Sequence, residues 1–192
     1  SSLYGADAIG GVIQIFTKQA ARSDADTGVS GNLSAAAGTE STYIGSAGFN
    51  LSGSKTSLAL NVSHNQTDGI RPIHTPRPSA RRSAYDNDAA NLSIAHEFGN
   101  GAALRGAWNL ADSQLHYDGG INNGESRVAH LGLRLPLSDS WQSDVQISRF
   151  SDESFNDSTA DSRSRTERDA INWQNHVQLG DNNALVLGAD FE

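Results

Sequence analysis

The sequence predicts an all-β protein, specifically part of a large transmembrane antiparallel β-barrel. Apolar and polar residues alternate along most of the chain after residue 28, which is typical of strands with one apolar and one polar face. The runs are about ten to fourteen residues long, longer than the usual strand of about five or six. Short turns also alternate with longer polar connections, as in membrane barrels.

The alternating runs define the strands. Each run places apolar residues two positions apart with polar residues between them, so that side chains of one kind share a face. We expect about nine strands within residues 28–192. The clearest runs have apolar residues at the even positions of 58–62, 90–98 and 104–110, and at the odd positions of 129–135, 171–179 and 185–191.

The connections indicate how the strands are joined. Tight hairpin turns are predicted at 53–55, 99–101, 138–140 and 180–183, where Gly, Asn, Asp and Ser cluster. Longer polar connections are predicted at 67–84, 117–126 and 152–166, with a short exception near 38–41. The alternative is a soluble antiparallel sandwich, whose strands are usually shorter and whose loops need not alternate in length.

Composition excludes several classes. The net charge of −8 argues against general nucleic-acid binding, which needs clustered Lys and Arg. The chain has no cysteine, and no stretch reaches the roughly twenty apolar residues of a membrane-spanning helix. The six histidines show no metalloprotease spacing, and no serine lies in a nucleophile-elbow sequence. We therefore predict that the protein is not an enzyme.

Aromatic residues give a weaker indication of a barrel. We expect an interfacial girdle near the strand ends, although aromatic residues are also common in strands generally. Trp108 and Trp173 lie further inside their runs. The candidate girdle residues are Tyr43, Tyr85, Phe98, Trp141, Phe150 and Phe155.

The first residues form the most specific motif. A glycine pair permits backbone angles and close approaches that a side chain would block, and the Val-Ile-Gln-Ile run after it suits a pleated strand. This run resembles the end of the plug domain of TonB-dependent outer-membrane receptors. The matching residues are Leu3, Tyr4, Gly5, Ala8, Gly10 and Gly11.

The resemblance implies a domain order. Residues 1–18 would be the end of the plug, 19–27 a linker, and 28–192 an incomplete transmembrane barrel of the 22-strand class, whose lumen is plugged. We expect both ends of the receptor to lie outside this sequence. The N-terminal segment that contacts the TonB complex would then also be absent.

The resemblance also implies a function. Receptors of this family carry out active transport of a small molecule across the outer membrane of Gram-negative cells, with barrel strands in contact with lipid. Several stretches are similar to the vitamin B12 (cobalamin) transporters. A siderophore or other metal-chelate receptor is the alternative within the family, and a passive porin-like channel is the alternative from another class. The similar stretches are 64–69, 86–88, 117–118 and 173–176.

Calcium is the cofactor that this resemblance implies. Asp86, Asp88, Tyr117 and Asp118 match positions that bind calcium in cobalamin receptors, and carboxylates two residues apart suit an ion with six to eight oxygen ligands. Arg71 stands where the family often has an aspartate, and its charge would repel calcium. The alternative is that Asp86 and Asp88 only solvate a loop and begin a strand.

The substrate-contacting residues remain unknown, and Glu125 is a further candidate metal ligand. The outer loops at 67–84 and 117–126 are our candidates for ligand contact. Within the first of these, the stretch 71–82 is rich in Arg and Pro. Its arginines suit an anionic ligand or lipid phosphates, although a stiff solvated loop explains the same composition.

Overall fold

The computed structural model describes residues 27–71, 82–158, 160–180 and 182–192. The predicted plug end, and the predicted linker apart from Thr27, lie outside these ranges. Most of the basic stretch between Arg71 and Arg82 also lies outside them. These predictions therefore remain expectations from the sequence.

The described part of the chain is a single antiparallel sheet. Its strands pair in sequence order from β1 to β9, which confirms the predicted all-β class and is consistent with part of a larger barrel. Strands β5 to β8 are the longest, and β6 has 19 residues. The strands are β1 Gly28–Gly38, β2 Thr42–Ser52, β3 Thr56–Thr67, β4 Tyr85–Glu97, β5 Ala103–Tyr117, β6 Gly120–Ser138, β7 Trp141–Ser158, β8 Ser162–Gln178 and β9 Ala184–Phe191.

Within the described ranges, no helix is long and apolar enough to cross a membrane.

The pairing register collects most of the large apolar side chains on one face of the sheet, here called the apolar face. Phe49 pairs with Leu60, Leu60 with Leu92, and Leu92 with Trp108. These side chains are exposed, and Trp108 retains 49% of its accessible surface. A contiguous exposed apolar surface of this kind indicates contact with another apolar phase, and we call it the apolar band.

The opposite, polar face carries small uncharged side chains over most of its area. Asn61 pairs with Asn91, and Asn91 with Asn109. Gly48 lies between Asn32 and Asn61, and an added Cβ would meet both of their side-chain oxygens. Amide and hydroxyl groups along this face suit contact with water or a polar partner, as in the lumen of a membrane barrel.

The edge of the apolar band runs obliquely to the strands. Ala90 and Leu110 pair with each other, but the next partner in their row is Arg127. On β7 and β8 the apolar band ends earlier. Its last residues before the charged region are Ile147 and Ile171, which pair with each other. Their row lies two rows of this face nearer the short turns than the row of Leu110 and Arg127. Strands of a membrane barrel tilt by about 35–45°, and a level lipid boundary would cross them in this way.

Two predicted long connections are wrong. The connection predicted at 117–126 is mostly strand, because β5 and β6 meet at a turn of residues 118–119. The connection predicted at 152–166 is also mostly strand, since β7 extends to Ser158 and β8 begins at Ser162. In both segments polar residues occupy the two faces of the sheet, so the sequence shows no apolar alternation. The backbone hydrogen bonding between the strands nevertheless continues through them.

The long strands extend well beyond an apolar layer. A membrane strand needs about 9–11 residues, whereas β7 has 18 and β8 has 17. The extra residues lie at the end of the sheet opposite the turns near residues 53, 100, 139 and 180, and they carry charged side chains on the apolar face. We call this region the charged extension.

The candidate aromatic girdle divides between the faces. Tyr43, Trp141 and Phe155 belong to the apolar face, whereas Tyr85 and Phe150 belong to the polar face, as the pairing register requires. The sequence could not assign a face to each aromatic residue because it lacked the exact register.

Near the short turns, two tryptophans on the apolar face have indole N–H groups that donate hydrogen bonds to polar side chains. The Trp141 indole donates to Asn175 Oδ1 at 3.0 Å, and the Trp173 indole donates to Ser143 Oγ at 2.9 Å. An apolar ring with a satisfied N–H suits an interface between lipid and water.

Gly120 provides a test of the two-residue turn between β5 and β6. An added Cβ would lie 2.1 Å from the backbone carbonyl oxygen of Asp157 on β7, so the strands would have to move apart. We expect Gly120→Ala to lower the free energy of unfolding by about 1–3 kcal/mol. Urea unfolding of the full-length protein in detergent measures this.

Gly45→Ala is the matched control, because nothing lies within 4 Å of its added Cβ. We expect it to change the free energy of unfolding by less than about 0.5 kcal/mol. Equal destabilisation by the two alanines would contradict the close approach at Gly120.

Candidate metal centre

A row of carboxylates crosses the charged extension. Asp88 pairs with Asp112, Asp112 with Glu125, and Glu125 with Glu153. Like charges directly opposite each other in a sheet are destabilising. This acidic row, Asp88 to Glu153, lines an open cavity of about 350 Å³ together with Asp86, and its electrostatics favour a bound cation.

A histidine lies at one end of the acidic row. His64 on β3 pairs with Asp88, and its Nδ1 lies 2.9 Å from Asp88 Oδ1. Asp86 is two residues from Asp88 on the same strand face. Donor atoms of His64, Asp86 and Asp88 all lie within 4.8 Å of one another, which is close enough for one ion to contact all three.

The charge of His64 responds to this arrangement. The hydrogen bond with Asp88 raises the pKa of His64, with smaller support from Gln66 and from the charge of Asp86, while desolvation opposes the shift. His64 follows Val62, the last apolar residue of β3 on this face, so it lies beyond the apolar band. When His64 is protonated, its imidazolium offsets part of the charge of the acidic row.

Arginines compensate the other end of the row. Arg163 contacts Glu153 at 2.5 Å, and Arg127 contacts Glu125 at 2.8 Å. In strand order, Asp86 and Asp88 on β4 and Asp112 on β5 lie on the His64 side of Glu125 and Glu153. Three closely placed carboxylates, with the Gln114 amide in the same cavity, provide oxygen donors of the type that calcium prefers.

The structure separates the sequence-predicted calcium ligands into two groups. Asp86 and Asp88 line the cavity with Glu125. Tyr117 belongs to the polar face, where its hydroxyl donates to Asn156 Oδ1 at 2.5 Å. Asp118 lies in the turn between β5 and β6, and neither Tyr117 nor Asp118 is among the residues that line the cavity.

Sequence reasoning missed His64 and Asp112 as members of the site. Both lie in alternating strands, and only the pairing across β3, β4 and β5 brings them to Asp88. The connection between β3 and β4 is long, so the sequence does not fix the register of these two strands and does not predict the contact between His64 and Asp88. Once β4 and β5 are paired, however, the alternation alone would place Asp88 and Asp112 on one face.

The base of the connection at 68–84 is firmly held beside this site. Asp68 N donates to Glu40 O at 2.9 Å, and Ser83 N donates to Ile70 O at 2.9 Å. Arg82 contacts the Glu40 carboxylate and donates to Gly69 O at 3.0 Å. The two ends of this connection are therefore fixed to the β1–β2 turn, while exposed Arg71 directly precedes the undescribed stretch 72–81.

Comparison with known proteins identifies relatives for this chain. No protein-family model matches it. The vitamin B12 transporter BtuB of Photobacterium profundum is 29% identical over 209 residues, a match that covers 100% of this chain. The BtuB of Vibrio vulnificus is 25% identical over 202 residues, again covering 100% of this chain. The chain is similar to vitamin B12 transporters along its whole length.

This similarity confirms the resemblance predicted from the sequence. The chain spans 32% of the length of each BtuB relative, so it corresponds to about a third of such a transporter. Both relatives are named as transporters, which fits the prediction that this protein is not an enzyme. The exposed apolar band and the all-β sheet agree with the architecture expected of part of such a barrel.

The contact between His64 and Asp88 predicts a pH-dependent interaction. We expect Asp88→Asn to lower the pKa of His64, because the variant removes the principal group that favours imidazolium. Since the pKa of His64 is raised in the folded protein, the stabilisation of the folded state by the pair of His64 and Asp88 is fully present below the ordinary histidine pKa. It is lost as the pH rises through the folded-state value.

NMR titration of isotopically labelled histidine in the full-length protein measures this pKa, with a His64→Gln variant to assign the signal. Asp112→Asn is the matched control, because it removes the same charge from the row without removing a hydrogen bond to His64. Equal shifts in the two variants would contradict a specific His64–Asp88 pair.

Proposed function

We propose that this protein is part of a TonB-dependent receptor that imports vitamin B12 (cobalamin) across the outer membrane. The supporting observation is similarity over the whole chain to two vitamin B12 transporters. The exposed apolar band of the described sheet agrees with it. Transport requires binding and release of the substrate and involves no chemical change of it.

The proposed architecture is a barrel of the 22-strand class with the lumen plugged. The described strands leave a free edge on β1 and on β9, and a barrel must close its edges because the membrane interior offers no hydrogen-bond partner. Residues 1–18 would form the end of the plug. The TonB complex would supply energy by contacting the N-terminal segment of the whole receptor.

We further propose that calcium binds at the acidic row. A divalent cation near Asp86, Asp88 and Asp112 would offset the repulsion of carboxylates on β4 and β5, and it would hold these strand ends together. The row faces the same side as the apolar band, so this calcium would order the barrel wall and the nearby connection at 68–84 without direct substrate contact. Tyr117 and Asp118 remain predicted ligands.

Substrate specificity is tested by equilibrium binding of cyanocobalamin to the full-length receptor in detergent, with ferric siderophores as competitors. We expect saturable binding of cyanocobalamin and no displacement by the iron chelates. Binding of a siderophore without binding of cyanocobalamin would contradict the substrate and support the alternative within the same family.

The calcium proposal is tested by the Asp86→Asn and Asp88→Asn double variant. We expect calcium affinity to fall by more than about tenfold, because loss of an outer-shell partner alone costs about 10–100-fold and here two carboxylate ligands are lost. Isothermal titration with calcium measures this directly, and cyanocobalamin titration with and without a chelator shows whether calcium supports substrate binding.

Asp139→Asn is the control for this experiment, because Asp139 lies in the turn between β6 and β7, at the opposite end of the sheet. We expect calcium affinity to be unchanged in this variant. Undiminished calcium binding by the double variant would remove Asp86 and Asp88 from the site.

Energy coupling distinguishes a TonB-dependent receptor from a passive channel. We expect uptake of labelled cobalamin by cells that express the full-length protein to stop when the inner-membrane proton gradient is dissipated or when TonB is deleted. Uptake that continues at the same rate in both conditions would support a porin-like channel.

A further inference from the structure

Four side chains that can bind a metal ion form a two-by-two block across β3 and β4. His64 pairs with Asp88, and Gln66 pairs with Asp86 in the next row of the same face. Directly opposite residues of an antiparallel pair have Cβ atoms about 4.5–5.5 Å apart, so their side chains meet above the sheet. We call these four residues the β3–β4 block, and it forms the His64 end of the acidic row.

The donor atoms of the block are close together. One donor atom each of His64, Asp86 and Asp88 lies within 4.8 Å of the other two, and the Gln66 side chain also hydrogen-bonds with the His64 ring. Zinc bonds to nitrogen and oxygen are about 2.0–2.2 Å long, so two ligands of one ion are at most about 4.4 Å apart. The side chains of His64 and Asp88 retain 44% and 67% of their accessible surface, so small rotations bring the donors into this range.

The residues beside the block leave room for an ion and add no positive charge. On β2, Gly45 pairs with His64, and nothing lies within 4 Å of a Cβ added at Gly45. On β5, Asp112 pairs with Asp88, so the neighbour on this side is a further carboxylate. A divalent cation in the block would therefore meet attraction from β5 and open space towards β2.

We propose that the β3–β4 block binds zinc or a similar late first-row divalent ion, with His64, Asp86 and Asp88 as its ligands. Imidazole nitrogen suits zinc, copper, iron and nickel, whereas calcium takes oxygen ligands. The ion replaces the proton that His64 Nδ1 shares with Asp88, and the two carboxylates balance its charge. Gln66 offers a fourth donor through its amide oxygen.

This ion differs in chemical class from the calcium proposed for the acidic row. Both ions use Asp86 and Asp88, but calcium also uses Asp112 on β5, whereas zinc uses His64 on β3. The two ions therefore compete for the shared carboxylates. The proposal goes beyond the proposed function, because it depends on these ligands alone and not on the transported substrate.

The test is isothermal titration of zinc chloride into the full-length receptor, in detergent, without a histidine tag and after removal of bound metal. We expect His64→Gln to weaken zinc binding by more than about tenfold, because loss of an outer-shell partner alone costs about 10–100-fold and here a ligand is lost. Calcium binding by the same variant should be unchanged, which shows that the site remains folded. Unchanged zinc affinity in His64→Gln would overturn the proposal.

His116→Gln is the matched control. His116 lies on the same face and at the same end of the sheet as His64, but its Nε2 is 2.8 Å from Gln114 Oε1 and it lies outside the block. We expect this variant to bind zinc as tightly as the unaltered protein. Equal losses of zinc affinity in the two variants would overturn the assignment of His64.

Copper(II) provides a spectroscopic readout of the ligand, because imidazole also suits this ion. We expect pulsed electron paramagnetic resonance with one equivalent of copper(II) to show a bound imidazole nitrogen in the unaltered receptor. The same signal should be lost in His64→Gln and retained in His116→Gln. Retention of the signal in His64→Gln would show that the contact between His64 and Asp88 is a hydrogen bond only, and it would overturn the proposal.

Titrations of calcium and cyanocobalamin with the same samples separate this proposal from the proposed function. We expect excess calcium to lower the apparent zinc affinity, because Asp86 and Asp88 are shared. A receptor that binds zinc through His64 but does not bind cyanocobalamin would contradict the proposed substrate alone. One that binds cyanocobalamin and calcium but not zinc would contradict the zinc site alone.

Discussion

Backbone pairing between neighbouring strands is the constraint on which the rest of this structure depends. Because side chains alternate along a strand, a slip of one residue would exchange the two faces. The observed register keeps most of the large apolar residues of the nine described strands on one face and most of the amides and hydroxyls on the other. Such a sheet can separate lipid from water only as part of a closed β-barrel, because unpaired strand edges find no hydrogen-bond partners in lipid.

The same pairing continues beyond the apolar band and there arranges charges in place of apolar groups. On β4 to β7 it aligns carboxylates, with His64 at one side and arginines at the other. On β6 to β9 it sets Arg149 beside a row of exposed apolar side chains. The carboxylates of the first surface suit a cation.

The sequence was sufficient for the fold class and for the positions of the tight turns, because alternation and turn residues are local signals. It failed at residues 117–126 and 152–166, where both faces of paired strands are polar. It could also name Asp86 and Asp88 but not His64 as their neighbour, since that contact depends on a register across the connection at 68–84. Tyr117 shows the same limit, because it is an odd-numbered residue of β5 and lies on the polar face, whereas Asp112 and the acidic row lie on the apolar face.

Site-directed spin labelling of the full-length receptor in lipid bilayers tests the central claim that the apolar face meets lipid. This chain contains no cysteine, so labels can be placed at Ile147 and Ile171 on the apolar face and at Ser148 and Asn172 on the polar face. We predict high oxygen and low nickel-chelate accessibility at the first pair, and lower oxygen accessibility at the second. High nickel-chelate accessibility at Ile147 and Ile171 would contradict the account.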